Sequence, residues 1–330
     1  MPQYWWVNHN QTWQQEIEGQ YLWSPKVNAN GSRNQFYNNM RLASPGDLVL
    51  SYADQQISRI GRVAEFAFAA PKPEEFGTVG ANWSREGWLL PVYWTSLVPP
   101  LRPRDMIDRL RPLLPHRYSP FNPDAGRGNQ GAYLAEISKP LFDAIVSDSM
   151  YDYLLLARGG LNSLRYESVV ETVEDRIERR IADDLTLDDT ERKSVIAARR
   201  GQGAFRTSLE KIERACRLTG ITTPSLLKAG HIKPWRSCET AKERLDGMNG
   251  LLLTPDADHL FDRGFISFED EGKVRISRRV DREDLRRLGF DQLVFEATGM
   301  TEAPADWRTD SFLPEQRAYL DYHRNEVFLS

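Results

Sequence analysis

Cysteine is almost missing from this chain of 330 residues: there are two, Cys216 and Cys238. Two thiols twenty-two positions apart build no disulfide framework, and without a CxxC pair they make no structural zinc site. Histidine is nearly as scarce, with five in all, so imidazole chemistry must fall on very few positions. No apolar run approaches the ~20 residues needed to cross a bilayer. The opening MPQYWWVNHNQTWQQ lacks both the basic start and the apolar stretch of a secretion signal. These absences predict a soluble protein of a reducing, bacterial cytoplasm with no membrane partner. Positive charge is not in excess either, and a formal net charge of -4 excludes a uniformly basic nucleic-acid coat. Internal repeats and low-complexity segments are absent.

What is present suggests two domains, each long enough to bury its own core. Residues 1–150 are mainly β in pattern, with strands expected at Tyr4–Asn8, Asp47–Tyr52, Ile60–Phe68, Leu89–Trp94 and Ala132–Ile137. Dense Pro and Gly between short strands imply a small curved sheet or barrel, with closure protecting its edges. Seven of the nine Trp precede residue 95. A barrel that small cannot hide them all, so an aromatic pocket is expected as well as a core. The loop Gly126 to Gly131 brings Arg127 and Asn129 together with glycines that let backbone amides approach a phosphate.

Residues 151–189 turn charged and helical. Val169, Val173, Ile177 and Ile181 recur every four positions among Glu, Asp and Arg, the pattern of an amphipathic connecting helix. From 190 onward two helices are expected, Thr190–Arg200 and Ala204–Leu218, broken by Gly201-Gln202-Gly203. Between Arg192 and Cys238 there are eleven Lys or Arg against two Glu, a local excess of +9 that would attract phosphates. Arg199, Arg200, Gln202, Arg206 and Lys233 lie in that segment as candidate phosphate contacts.

The stretch from Ala229 to Phe268 carries the chemistry. His231 sits in a short extended run; Asn249-Gly250 is expected to form a tight turn before Leu251–Thr254. Asp256 is expected to cap a helix from Ala257 on which Asp258 and Asp262, four apart, share a face. Gly264 ends that helix and Phe265–Phe268 close the unit as a strand. A ββα unit with His231 facing the helix suits phosphodiester hydrolysis, the imidazole activating water and carboxylate or imidazole ligands holding one divalent ion.

The order His231, Asn249-Gly250, Asp258-His259-Leu260-Phe261-Asp262-Arg263-Gly264 resembles the HNH nucleases, in the branch with AHIxPW at the front and LFDRGxISF at the back. That resemblance implies His231 as general base, Asn249 as the brace of the ββα loop, Asp258 and Asp262 as metal ligands, and DNA as the partner of the candidate phosphate contacts. His259 is the alternative ligand and catalytic residue. Relatives often place a ligand before the base, where this chain has Gly230. The run ARRGQGAFRTSL and the ending AYLDYHRNEVF also resemble that branch, the latter implying a packed tail with a structural His323. The first 150 residues, with YWWVN, LWSPK, RNQFYNNMR and SPGDLVLSYADQQISRIGRVAE, resemble more loosely the EVE domain of the PUA-like superfamily. Such domains are associated with holding an extruded modified base among aromatic rings, where stacking contributes ~1–3 kcal/mol per base. Trp6, Trp23, Asn34, Asn38, Ser51, Tyr52 and Trp94 are the candidate pocket residues.

The fold expected from all this is α+β: an EVE/PUA-like small β-barrel with short helices, a helical linker and a ββα-metal nuclease domain at 190–330. The expected activity is cleavage of double-stranded DNA near a methylated or hydroxymethylated cytosine, with one Mg²⁺ or Mn²⁺ per HNH site, as in phage restriction. One ββα site cuts one strand, so double-strand cleavage implies a homodimer or two binding events. An N-terminal domain binding unmodified DNA or RNA, and a non-catalytic reader of modified DNA, are the alternatives.

Overall fold

The computed structural model describes residues 2–129, 131–147, 166–290 and 310–330, with side chains from residue 170 in the helix that opens at 166. Residues 148–165, the Val169 side chain and Gln130 of the glycine loop lie outside that description. The chain divides into two compact units, residues 1–173 and 174–330.

The first unit is built on one sheet. Its strands are β1 (Tyr4–Asn8), β2 (Tyr21–Pro25), β3 (Leu48–Ala53), β4 (Gln56–Val63), β5 (Phe68–Pro71), β6 (Glu86–Leu101) and, after a two-residue hairpin β7 (Phe121–Asn122) and β8 (Arg127–Gly128), β9 (Leu134–Ile137). The order is β2-β6-β4-β3-β1-β9, with β5 also on β6. β1 runs parallel to β3 and antiparallel to β9. The sixteen-residue β6 pairs with β2 and β5 through its first half and with β4 through its second, which curls the sheet.

Of the curved sheet or closed barrel expected from sequence, the structure has the curved sheet. Among the described residues β2 and β9 do not pair, so the sheet is a curled half-barrel with two ends rather than a closed cylinder. Strand β2 and the separation of β5 from β4 also went unread, because Tyr21–Pro25 is five residues between polar stretches.

Alternation along β1 sends Trp5 and Trp6 to opposite faces. Trp5 joins a cluster with Leu22, Met40, Val49 and Leu90, and Trp6 one with Leu50, Ile60, Leu97 and Phe121. Asp47 pins the start of the sheet, accepting from Trp5 Nε1 at 2.9 Å and Gln3 N at 2.8 Å. Helices α1 (Trp13–Gly19), α2 (Gln35–Leu42), α3 (Ile107–Leu110) and α4 (Lys139–Val146) complete the unit. Asn34 caps α2 by accepting from Phe36 N.

Helix α5 (Tyr166–Ala182) buries Val173, Ile177 and Ile181 as its period predicts. Helices α6 (Asp189–Arg199), capped by Asp188, and α7 (Gly203–Leu209) follow. The second of these was expected to reach Leu218 and stops nine residues earlier. Beyond it Glu213 is buried between the Arg217 guanidinium, at 2.6 Å, and Gln316 from the C-terminal tail, at 3.1 Å. That tertiary partner outweighs local helix propensity.

Strand β10 (Lys228–His231) pairs antiparallel with β11 (Gly250–Leu253), with His231 opposite Gly250. Their connection carries α8 (Ala241–Leu245); β11 leads into α9 (Pro255–Asp262), then β12 (Ile266–Phe268) and β13 (Val274–Ile276) as a hairpin. The helix begins earlier than expected: Thr254 is its N-cap, without a side-chain capping bond, and Pro255 occupies its first turn, where a missing N–H costs nothing. Helix α10 (Arg282–Arg287) and the tail helix α11 (Pro314–Tyr322) finish the chain. The tail docks through Tyr319 OH, 2.9 Å from Asp246 Oδ2, and through His323 stacked on Phe261 at 3.7 Å. No helix among the described residues is long and apolar enough to cross a membrane.

Candidate active site and ligand cavity

A cavity of about 360 Å³ in the second unit brings together His231, Asp258 and Asp262 with Gly230, Lys228, Arg200 and Gln202. The first five of these residues come from the β10–β11–α9 frame; the last two come from the α6–α7 connection. Gly201, with φ +63°, makes that connection possible: a Cβ there would lie 2.3 Å from the Ala229 carbonyl oxygen. Only glycine lets the loop press onto β10 and present Arg200 and Gln202 to the same space.

His231 is buried, with its ring stacked on Phe205 at 3.9 Å and 4°. Its Nε2 lies 3.0 Å from the Arg244 carbonyl oxygen. A carbonyl only accepts, so Nε2 carries the proton and Nδ1 is left with its lone pair. Burial lowers the His231 pKa to about 4, so the ring is neutral near pH 7 and fit to accept a proton.

Asn249, fully buried, ties the β10–β11 connection to itself. Its Oδ1 accepts from Lys233 N at 2.8 Å; its Nδ2 donates to the Lys233 and Glu243 carbonyls at 3.2 and 3.3 Å and approaches Cys238 Sγ at 3.4 Å. The turn expected at Asn249-Gly250 is not formed. Gly250 has φ -142°, ordinary extended backbone, and its missing side chain serves contact instead: a Cβ would lie 2.9 Å from Leu209 Cδ2 and 3.0 Å from Phe205 Cζ.

Asp258 is buried, and Asp262, one turn on, is exposed. Surrounding protein, then the like charge of Asp258, push the Asp262 carboxyl up to about 7. The side chain keeps contact with solvent, and the Asp258 carboxylate one turn away repels its negative form. Gly230 takes on meaning here. A Cβ at that position would stand 2.5 Å from Asp258 Oδ1, so glycine forms the notch that receives this carboxylate. The other oxygen, Oδ2, is ion-paired with Lys228 Nζ. Among the described residues no three His, Cys, Asp or Glu cluster to hold a metal ion. Two carboxylates, one of them already paired with a cationic side chain, nevertheless fit Mg²⁺ or Mn²⁺, ions that bind through one or two carboxylates and take their remaining ligands from water and phosphate. His259 follows Asp258 by one residue, about 100° around the helix, and is exposed outside the cavity lining.

Other expected DNA contacts are engaged internally. Arg199 bridges Glu174, Asp175 and Glu178 at 3.0, 2.7 and 2.6 Å, and these partners hold its pKa above the usual arginine value despite desolvation. Arg206 pairs with Glu210 at 2.8 Å and donates to the Pro224 and Leu227 carbonyls. Lys233 pairs with Glu243 at 3.0 Å. Much of the +9 segment is thus neutralised, partly by α5 residues beyond the counted window.

The first unit holds a larger cavity, about 900 Å³, walled by Trp23, Trp83, Tyr37, Tyr52 and Tyr133, with Asn8, His9, Arg104, Arg127 and Asn129 also on its lining. Trp23 and Trp83 stack at 6.2 Å and 23°. Of the candidate pocket residues Trp23 and Tyr52 line it; Trp6, Asn34, Asn38, Ser51 and Trp94 do not. Trp6 donates to Asn8 Oδ1 at 2.8 Å from within the core, and Ser51 lies 2.8 Å from His9 Nε2. Behind the cavity, fully buried Glu16 approaches His9 Nδ1 at 2.6 Å and accepts from Tyr133 OH at 2.5 Å and Trp23 N at 3.0 Å. Trp83, Tyr133, His9 and Glu16 were missed in the sequence. An acid within a short polar helix looks like any solvated one, and Trp83 lies in an irregular loop with no strand period to mark it.

His231 and His323, the latter lowered by burial to about 3, make stability depend on pH. The unfolded chain protonates histidine near pH 6.5 and the folded chain only near pH 4 or below. Stability is therefore full above 6.5 and lost as pH falls from there towards 4, because the unfolded state binds more protons. Each histidine approaches a slope of ~1.4 kcal/mol per pH unit in that window. Asp262 works in the opposite sense, weakly because its exposed carboxyl is screened. Urea denaturation of the full chain between pH 7 and 5 should show this loss before ordinary carboxylates titrate; a flat profile would contradict the neutral assignments.

Residues 216–269 match the family of HNH endonucleases, so the second unit carries an HNH endonuclease domain. No curated protein matches the chain. A solved structure titled as a hypothetical protein from Leishmania major is similar at 13% identity, covering 44% of this chain and 94% of that one with a TM-score of 0.32. A likeness of that degree carries no inference about fold or function.

Proposed function

We propose that this chain is a modification-dependent DNA endonuclease, in which an EVE/PUA-like first unit holds a modified cytosine and the HNH domain hydrolyses a phosphodiester bond nearby. The observation that carries the nuclease half is the neutral, oriented His231 in one cavity with Asp258 and Asp262. Nδ1 of His231 takes the proton of the attacking water while the Arg244 carbonyl steadies the ring. Asp258 and Asp262 would hold Mg²⁺ or Mn²⁺, which when bound neutralises charge on the scissile phosphate and the leaving oxygen. Arg200 and Gln202 orient the backbone without reading sequence. Asn249 keeps the base and the helix in register.

Support for the reader half is the aromatic cavity. A base extruded into it can stack on a ring, with Arg104 and Arg127 placed for the flanking phosphates. Double-strand cleavage by a single HNH site per chain would call for a homodimer or for two binding events.

The test is incubation with Mg²⁺ or Mn²⁺ and matched duplexes containing cytosine, 5-methylcytosine, 5-hydroxymethylcytosine or glucosylated cytosine. One modified duplex should be cut ~10-fold or more faster than plain DNA, the discrimination that ~1.4 kcal/mol of added contact to the modifying group provides. Equal cutting of all four would sink the reader half and leave a nuclease with a general DNA- or RNA-binding domain. A second reading, a non-catalytic clamp, draws on the lack of a three-ligand cluster among the described residues and expects no cutting of any duplex.

A further inference from the structure

Lys228 opens β10, three residues before His231, and its ammonium is ion-paired with Asp258 Oδ2. Asp258 is 3% exposed and its other oxygen is lodged against Gly230. A carboxylate so enclosed needs a compensating positive charge, and Lys228 is the ion-pair partner the structure gives it. The lysine side chain itself is 59% exposed, on a wall shared with Arg200 and Gln202. Lysine is a point charge on a flexible four-carbon stem, able to change partners without moving the backbone.

We infer that Lys228 is a positioning residue that compensates Asp258 until a divalent cation arrives, and then swings to the DNA backbone as a phosphate contact. The inference rests on the nuclease reading and adds to it the residue that exchanges places with the cation. An ammonium and a divalent ion cannot both sit on Asp258 Oδ2, since two positive charges would meet at contact distance. Expelled from the carboxylate, the ammonium stays on the cavity wall, where a bound backbone offers it an anion. The lysine thus holds Asp258 in its ligand geometry and keeps the metal-free site electrically balanced.

The experiment uses the full chain in a His231→Ala background, so that DNA survives, with and without Lys228→Ala. Calorimetric titration with Mn²⁺ and no DNA should show ~5-fold tighter binding once Lys228 is removed, the size of the competing ion pair open to solvent. Lys228→Arg, which grips the carboxylate with a fixed fork, should weaken Mn²⁺ binding instead, and this second variant covers the case in which Lys228→Ala leaves Asp258 uncompensated and unfolds the protein. Duplex affinity is then followed against salt. With Mn²⁺ present, removing Lys228 should reduce the slope of log K against log salt by ~0.9; without Mn²⁺ the slopes should coincide. Equal Mn²⁺ affinities in all three proteins would overturn the exchange while leaving the metal reading intact. A slope difference in both conditions would make Lys228 a permanent phosphate contact and overturn it too. No Mn²⁺ binding by any of the proteins would overturn the metal reading beneath it, and the inference with it.

Discussion

His231→Ala should lower the cleavage rate by ~10²–10⁴-fold, the range that general-base catalysis contributes, while duplex affinity changes little. The lone pair on Nδ1 has no replacement in alanine, whereas the proposed phosphate contacts, Arg200 and Gln202, sit elsewhere on the cavity lining. Wild-type rate should be level from about pH 5.5 upward as far as the base is concerned, since the ring is already neutral above about 4. Added imidazole should restore part of the rate to the variant, because a diffusible base can enter the space the ring has left. The variant also deprives the Arg244 carbonyl of its donor and Phe205 of its stacking partner, so its folded fraction must be measured first. Affinity lost in parallel with rate, in protein that is folded, would show His231 to be structural.

Asn249→Ala should cost the second unit ~2–5 kcal/mol of unfolding free energy and with it most of the activity. The amide accounts for four contacts around the β10–β11 connection, three of them to backbone groups of Lys233 and Glu243. Truncation removes that partner from three part-buried backbone groups, at ~1–3 kcal/mol each where water cannot reach. Asn249→Asp should fall between the two, since it keeps the acceptor for Lys233 N and loses the donor. Equilibrium denaturation separates the cases. An alanine variant as stable as wild type but inactive would move Asn249 from brace to direct participant in the chemistry.

Both predictions concern residues that stood out in the sequence, for a reason that is local. The ββα frame is specified within forty residues: the apolar run of β11 sets that strand and gives β10 its partner, Pro255 and Gly264 bound α9, and a spacing of four puts Asp258 and Asp262 on one face. Even so, two local inferences failed. Gly250 was expected to serve backbone freedom and instead serves close packing by α7, and Asp256 gave way to Thr254 and Pro255 at the start of α9. In each case the competing contact or position was invisible to a turn or cap preference taken alone.

By itself, the sequence determined the main elements of the ββα frame, the spacing that brings His231, Asp258 and Asp262 to one cavity, and the β character of the first 150 residues, because these depend on period, spacing and local backbone preference. Tertiary structure decided the rest. It left the sheet a half-barrel, since pairing between β2 and β9 depends on how far the bent β6 carries the edge round. It put Trp23 and Tyr52 on the cavity lining and Trp6 off it, although all three are buried, since which buried ring meets a cavity depends on what packs from distant segments. It also spent the basic segment. Glu174, Asp175 and Glu178 of α5 take up Arg199, and Asp258 takes up Lys228. A charge count over a window cannot see carboxylates that arrive from outside it, because ion pairs are set by distances in space of a few ångströms and not by distance along the chain.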